Sequence, residues 1–175
     1  MSATEFSHLV TLAEAGQGRH IAIEADAAAR TRIATRLGLV ALDRFALTAD
    51  VRAVAGGIAA TGAVEADVVQ SCAATDLPVP ATLREAFDLR FLREVETGDA
   101  ADEEIEISGE DCDILPLDGD RIDLGEAAVQ TLSLALDPFP RHPDADRILA
   151  EKGVLSEEQA GPFAALAQLR SKPDA

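Results

Sequence analysis

The side chains that most often do chemistry are few in this chain, and they stand apart. Its 175 residues include two cysteines, Cys72 and Cys112, and three histidines, His8, His20 and His142. A cysteine becomes a nucleophile when a neighbouring base takes its proton, and the sequence places no histidine close to either thiol. Cys72 reads as a small buried thiol at the end of a strand, Cys112 as part of an acidic loop, and His142, beside Pro143, as a turn residue. No two histidines share a spacing suited to one metal ion. Asp111, Asp113, Asp118, Asp120 and Asp123 suggest a calcium loop. The spacing argues against it, because Gly119 does not follow three alternating acids and no glutamate closes the loop at position twelve. Weak, nonspecific divalent binding is all that remains. Gly56-Gly57 lies between two strands rather than between strand and helix, so it is no phosphate cradle. These residues predict no catalytic site, no metal site and no cofactor.

The elements that would position these side chains read as α+β, an antiparallel meander followed by helices. Strands are expected at about 6–12, 19–25, 43–55, 58–72 and 82–93, with a helix at about 26–37. The strongest signal is the alternation of Phe45, Leu47, Ala49, Val51 and Ala53 with polar neighbours. Gly56-Gly57 suits a tight hairpin into a return strand, where Gly62 marks a bulge or a close packing contact. Asp26 caps the early helix, Gly38 ends it, and Ala29, Ile33 and Leu37 form its buried stripe. Leu77-Pro78-Val79-Pro80 reads as a turn, after which Leu83, Phe87, Leu89 and Phe91 point inward. Glu94–Ala101 and Ser108–Asp113 read as mobile loops around a short edge strand at Ile105 and Ile107. Asp123 and Glu126 form a capping box for a helix through Val129, Leu132 and Leu136, with Leu134 on its flank. Asp137-Pro138-Phe139-Pro140 stops that helix, and a shorter one follows from Asp144 to Glu151. Residues 1–155 are expected to form one domain with acidic, partly mobile loops at 94–121. Residues 156–175 then form a linker and a short helix, with Pro162 at its first position and Phe163 and Leu166 on one side.

Charge is the largest anomaly. Fifteen bases against thirty-two acids give −17. Residues 1–60 carry six of each, residues 61–128 four bases and nineteen acids, and residues 129–175 five and seven. From Glu94 to Glu126 there are fourteen acids and one base, Arg121. Affinity for phosphate comes from Lys and Arg displacing counterions, so such a chain repels nucleic acid at long range and attracts basic partners. It has no Trp, no Tyr and six Phe, too few rings for a stacking platform on RNA. No apolar run approaches the roughly 18 residues of a membrane span. The start lacks the marks of a signal peptide, and the sparse cysteines suit a reducing compartment, so a cytoplasmic protein is expected.

Three blocks carry a resemblance. Gly62-x-Val64-x-Ala66-x-Val68-x-Gln70-Ser71-Cys72-x-x-Thr75-x-x-Pro78-Val79 resembles the central signature of the bacterial YceD family, which is implicated in accumulation of large-subunit ribosomal RNA. Ile122-Asp123-Leu124-Gly125-Glu126, followed by Leu132-x-Leu134-x-Leu136-x-Pro138, resembles its second block, and Pro162-Phe163-x-x-Leu166 its closing tail. Relatives often carry bulkier residues or another cysteine just after the first, where this chain has Ala73-Ala74. Some have cysteine at the position of His142. The family supplies no catalytic residues to carry over. The resemblance implies a non-enzymatic accessory factor in making or stabilising large-subunit ribosomal RNA. Joined to the charge, it points to action through a basic ribosomal protein or assembly factor, with Asp102, Glu103, Glu104, Glu106, Pro162, Phe163 and Leu166 as partner contacts. Ribosomal RNA would then be reached indirectly, with no membrane and no small-molecule substrate. The alternative is a direct RNA-binding module using Arg19, Arg30, Arg32, Arg36, Arg44 and Arg52. A third is a divalent-metal-dependent hydrolase or nuclease built on the acidic cluster.

Overall fold

The computed structural model describes residues 5–93, 113–117 and 119–154. In chain order its elements are β1 (Leu9–Thr11), α1 (Leu12–Ala15), β2 (Arg19–Glu24), α2 (Ala27–Leu37), β3 (Ala41–Val54), β4 (Gly57–Ser71), β5 (Pro78–Leu92), β6 (Asp113–Pro116), β7 (Arg121–Asp123), α3 (Leu124–Ala135) and α4 (Ala145–Glu151). The chain divides into two compact units, one from Met1–Gln70 and Pro80–Asp137, the other from Ser71–Val79 and Pro138–Ala175.

The larger unit is a five-stranded sheet in the order β2-β3-β4-β5-β6. The alternating residues of β3 fall as their period requires. Phe45, Leu47, Ala49 and Val51 are buried, and they meet Ala66, Val64, Gly62 and Ala60 across the antiparallel ladder. Ile33 of α2 and Leu132 of α3 join the same core, and Phe6 meets the Phe45 ring edge to face at 5.3 Å. Each fully buried side chain of this size contributes about 1.5–3 kcal/mol, so this core holds the fold. On the other face the side chains are small or charged. Arg44 pairs with Glu65 at 3.0 Å, and His20 with Asp50 at 2.8 Å. Thr82 donates to Asp67 and Thr61 to Asp88, in opposite order along β4 and β5, as in an antiparallel pair.

The α+β class and the meander are as the periodicity predicts, and α2 keeps both its Asp26 cap and its left-handed Gly38 end. Several details differ. The first strand is only Leu9–Thr11 and joins β7 in a separate two-stranded sheet. It ends early because Thr11 and Glu14 form a reciprocal capping box that starts α1. The hairpin turn is Ala55-Gly56, and Gly57 already pairs with Val54. The sheet is not wholly antiparallel, since β6 runs parallel to β5, with Leu89 opposite Asp113. Pro78 and Pro80 lie inside β5 rather than in a turn. The bulge falls between Leu42 and Arg44, and of the two readings of Gly62 the close packing contact is the one found. The expected edge strand at Ile105 and Ile107 lies outside the described residues.

Candidate functional site

In the smaller unit, the chain leaving β4 folds back on itself around Cys72. The Cys72 amide donates to the Leu77 carbonyl at 2.8 Å, and the Asp76 amide returns to the Cys72 carbonyl at 3.0 Å. Asp76 takes a φ of 60°, which aspartate tolerates better than most side chains. The segment around Pro140 closes over this turn. Ala73 donates its amide to Pro140 O at 2.8 Å, and the His142 amide donates to Cys72 Sγ at 3.3 Å. The His142 amide does most to hold the thiol down to about 7, followed by the Thr75 hydroxyl, and burial opposes both. It is the backbone of His142 that meets the sulfur. Its ring Nδ1 accepts the Asp144 amide at 3.1 Å and is turned to its own loop. The arrangement stabilises a thiolate without a general base, in a residue that is 1% exposed.

A prediction follows for Cys72. A depressed folded pKa adds stability that is fully present above the pKa of the unfolded thiol and is lost as pH falls through that of the folded one. The contribution should be absent below pH 7 and grow as pH rises toward the ~8.5 of a free thiol. The Tm difference between the protein and its Cys72→Ala variant, both carrying Cys112→Ser, should therefore widen from pH 6 to pH 9. Iodoacetamide should label Cys72 only on unfolding. Rapid labelling of the native protein would contradict this burial.

The larger unit holds a second junction at the start of α3. Asp123 Oδ1 accepts the amides of His8 at 2.9 Å, Gly125 at 3.1 Å and Glu126 at 3.2 Å, and Oδ2 accepts the Ser7 hydroxyl at 2.7 Å. One carboxylate thus caps the helix and anchors the segment leading into β1. Gly125 is packed so closely under Phe6 that a Cβ would overlap its carbonyl. Glu126 does not reach back as a capping box predicts. It takes Arg36 of α2 in a two-pronged pair, Nη2 to Oε1 at 2.7 Å and Nη1 to Oε2 at 2.8 Å. A bidentate guanidinium outcompetes a local amide for a carboxylate. Arg36 also meets Glu5 at 3.0 Å, and its hydrogen bonds hold the Glu126 carboxyl below the usual range.

The remaining signature residues are also built into the fold. Gln70 Nε2 donates to the Asp137 carbonyl at 2.9 Å, Pro78 opens β5, and Gly62 sits where a Cβ would overlap the Thr48 carbonyl. Asp102, Glu103, Glu104, Glu106, Pro162, Phe163 and Leu166 lie outside the described residues. Asp113 begins β6, Asp120 lies in the turn before β7, and Asp123 caps α3. Among the described residues no three His, Cys, Asp or Glu side chains group as metal ligands would. Nor does any described helix have the length and apolarity to cross a membrane. Sequence reasoning missed Arg36 as the partner of Glu126, and no local signal links residues 90 positions apart.

These contacts define an α+β protein with a mostly antiparallel sheet, whose signature residues hold a turn, a helix start and a strand crossing in place. A family model described as Large ribosomal RNA subunit accumulation protein YceD matches residues 60–170, and the chain belongs to that family. No curated protein and no solved structure matches it.

Proposed function

We propose that the protein is a non-enzymatic accessory factor in the synthesis, processing or stability of large-subunit ribosomal RNA. It works in the cytoplasm, through a basic ribosomal protein or assembly factor rather than by gripping RNA. The observation that carries this reading is the charge of the first part of the region the family match covers: residues 61–128 hold nineteen acids and four bases. A phosphate backbone is repelled by such a surface, while a basic protein is drawn to it.

The arginines add support. A direct RNA module would need them free, yet four of the six are engaged with groups of their own fold. Arg30 donates to Ala25 O at 2.8 Å, Arg32 to Glu5 O at 3.1 Å, Arg36 holds Glu126, and Arg44 holds Glu65. Only Arg19 and Arg52 of the six form none of these contacts among the described residues. The test is a titration of purified protein with ribosomal RNA fragments at physiological salt. Binding should be no tighter than the roughly 10⁻⁴–10⁻⁶ M of nonspecific contacts. Submicromolar binding that Arg19→Ala with Arg52→Ala weakens would favour the direct RNA reading instead.

A further inference from the structure

The inward face of β5 is interrupted by an acid. Leu83, Phe87, Leu89 and Phe91 follow the period of two toward the core, and Glu85 occupies a position in the same series. Glu85 is exposed, so the cover over this face ends there. Beside it an open groove of about 330 Å³ runs between β5, the first residue of β6 and the C-terminal half of α3. Phe87 and Leu89 form part of its floor, and Leu134 of α3, 86% exposed, stands at its wall. Single exposed leucines are ordinary on protein surfaces. This one borders a groove with further apolar surface below it.

Glu85 and Asp113 line the same groove, and among the described residues no Lys or Arg does. Neither Glu85 nor Asp113 forms an ion pair with any described residue, while the Asp88 carboxylate is on the opposite face with the Thr61 hydroxyl. Asp113 directly follows residues 94–112, which contain nine acids and no base. Two carboxylates with no described partner beside an apolar floor repel each other and any anion. They gain when a cation-bearing chain lays an apolar side chain between them. The volume is near the lower end of the ~300–1,000 Å³ of ligand pockets, room for one or two large side chains. A nucleotide or phosphate is the wrong charge for it.

We propose that this groove is the docking site for a basic, amphipathic segment of a protein partner, which seats an apolar residue against Leu134 and Phe87 and Lys or Arg side chains against Glu85 and Asp113. The inference rests on the reading of action through a basic partner and gives that action a place. Amphipathic helices commonly dock in this way, by a few apolar anchors in a groove.

The probe is a labelled amphipathic peptide with a leucine face and a lysine face, titrated into the ¹⁵N-labelled full chain at low salt. Saturable binding should shift the amides of Phe87, Thr131 and Leu134. Leu134→Asp, a change at an exposed site that leaves the fold intact by circular dichroism, should weaken binding about tenfold or more. Glu85→Gln with Asp113→Asn should weaken it about threefold and flatten its salt dependence. Binding that survives Leu134→Asp and shifts other amides would overturn the groove while leaving the basic-partner reading standing. So would a groove already filled by the chain's own tail, seen as shifts at Leu134 when the protein is truncated after Gly161. Absence of saturable binding would also overturn the groove proposal, and the partner reading is then judged by capture of protein from lysate.

Discussion

Gly62→Ala should destabilise the fold by about 3 kcal/mol, the upper end of what one extra carbon costs in a packed core. The position is at the middle of the β3–β4 ladder, opposite Ala49. A Cβ there would overlap the Thr48 carbonyl, stand 2.8 Å from Ala49 Cα and 3.0 Å from the tip of the Phe87 ring. The ring could rotate away, but the two backbone atoms belong to a strand hydrogen-bonded on both sides and cannot retreat without opening the ladder. For a chain of this size the loss corresponds to a fall in Tm of about 6–12 °C. Thr61→Ala, next along the strand and on the exposed face, should stay within about 0.5 kcal/mol of the parent. A Gly62→Ala variant that melts with the parent protein would mean the strands do not approach this closely.

Asp123→Ala should cost about 2–4 kcal/mol, while Asp123→Asn should cost a small part of that. The alanine removes the cap from α3, typically worth about 1 kcal/mol and up to ~2. It also strands the partly buried His8 amide, a loss of about 1–3 kcal/mol. Asparagine separates hydrogen bonding from charge, because all three amides converge on Oδ1 alone. An amide oxygen can replace that atom, and the Nδ2 group can donate to the Ser7 hydroxyl now bonded to Oδ2. Urea denaturation of both variants checks this. Equal losses would show that the charge, not the geometry of Oδ1, holds the junction.

What the sequence made legible was local. The alternation through Phe45–Ala53, the Asp26 cap and Gly38 stop, and the Asp123 cap each depend on neighbours within a turn or a strand. What it hid was distant pairing. Thr11 and Glu14 could have been read as the capping box that ends β1, but nothing near Leu9 announces β7 as its partner. Glu126 stands at the right spacing for a capping box, yet its carboxylate is claimed by Arg36, which only the packing of α2 near α3 brings within reach. Signature residues that suggest a site by their spacing, such as Gln70 and Gly125, prove to serve backbone contacts. The groove did leave a trace. Glu85 falls where an inward apolar residue is due, and Leu134 lies on the flank of its helix stripe. Either could pass for noise, because only the fold puts the two beside Asp113.

The claim of action through a basic protein is tested most directly by capturing partners of the tagged full-length chain from cell lysate, with and without nuclease, across a salt series. Basic ribosomal proteins or assembly factors should remain bound after nuclease digestion. They should then be released as salt rises and the screening length shrinks below the ~8 Å of physiological ionic strength. Loss of every captured protein on nuclease treatment, with ribosomal RNA as the component that had held them, would contradict the account.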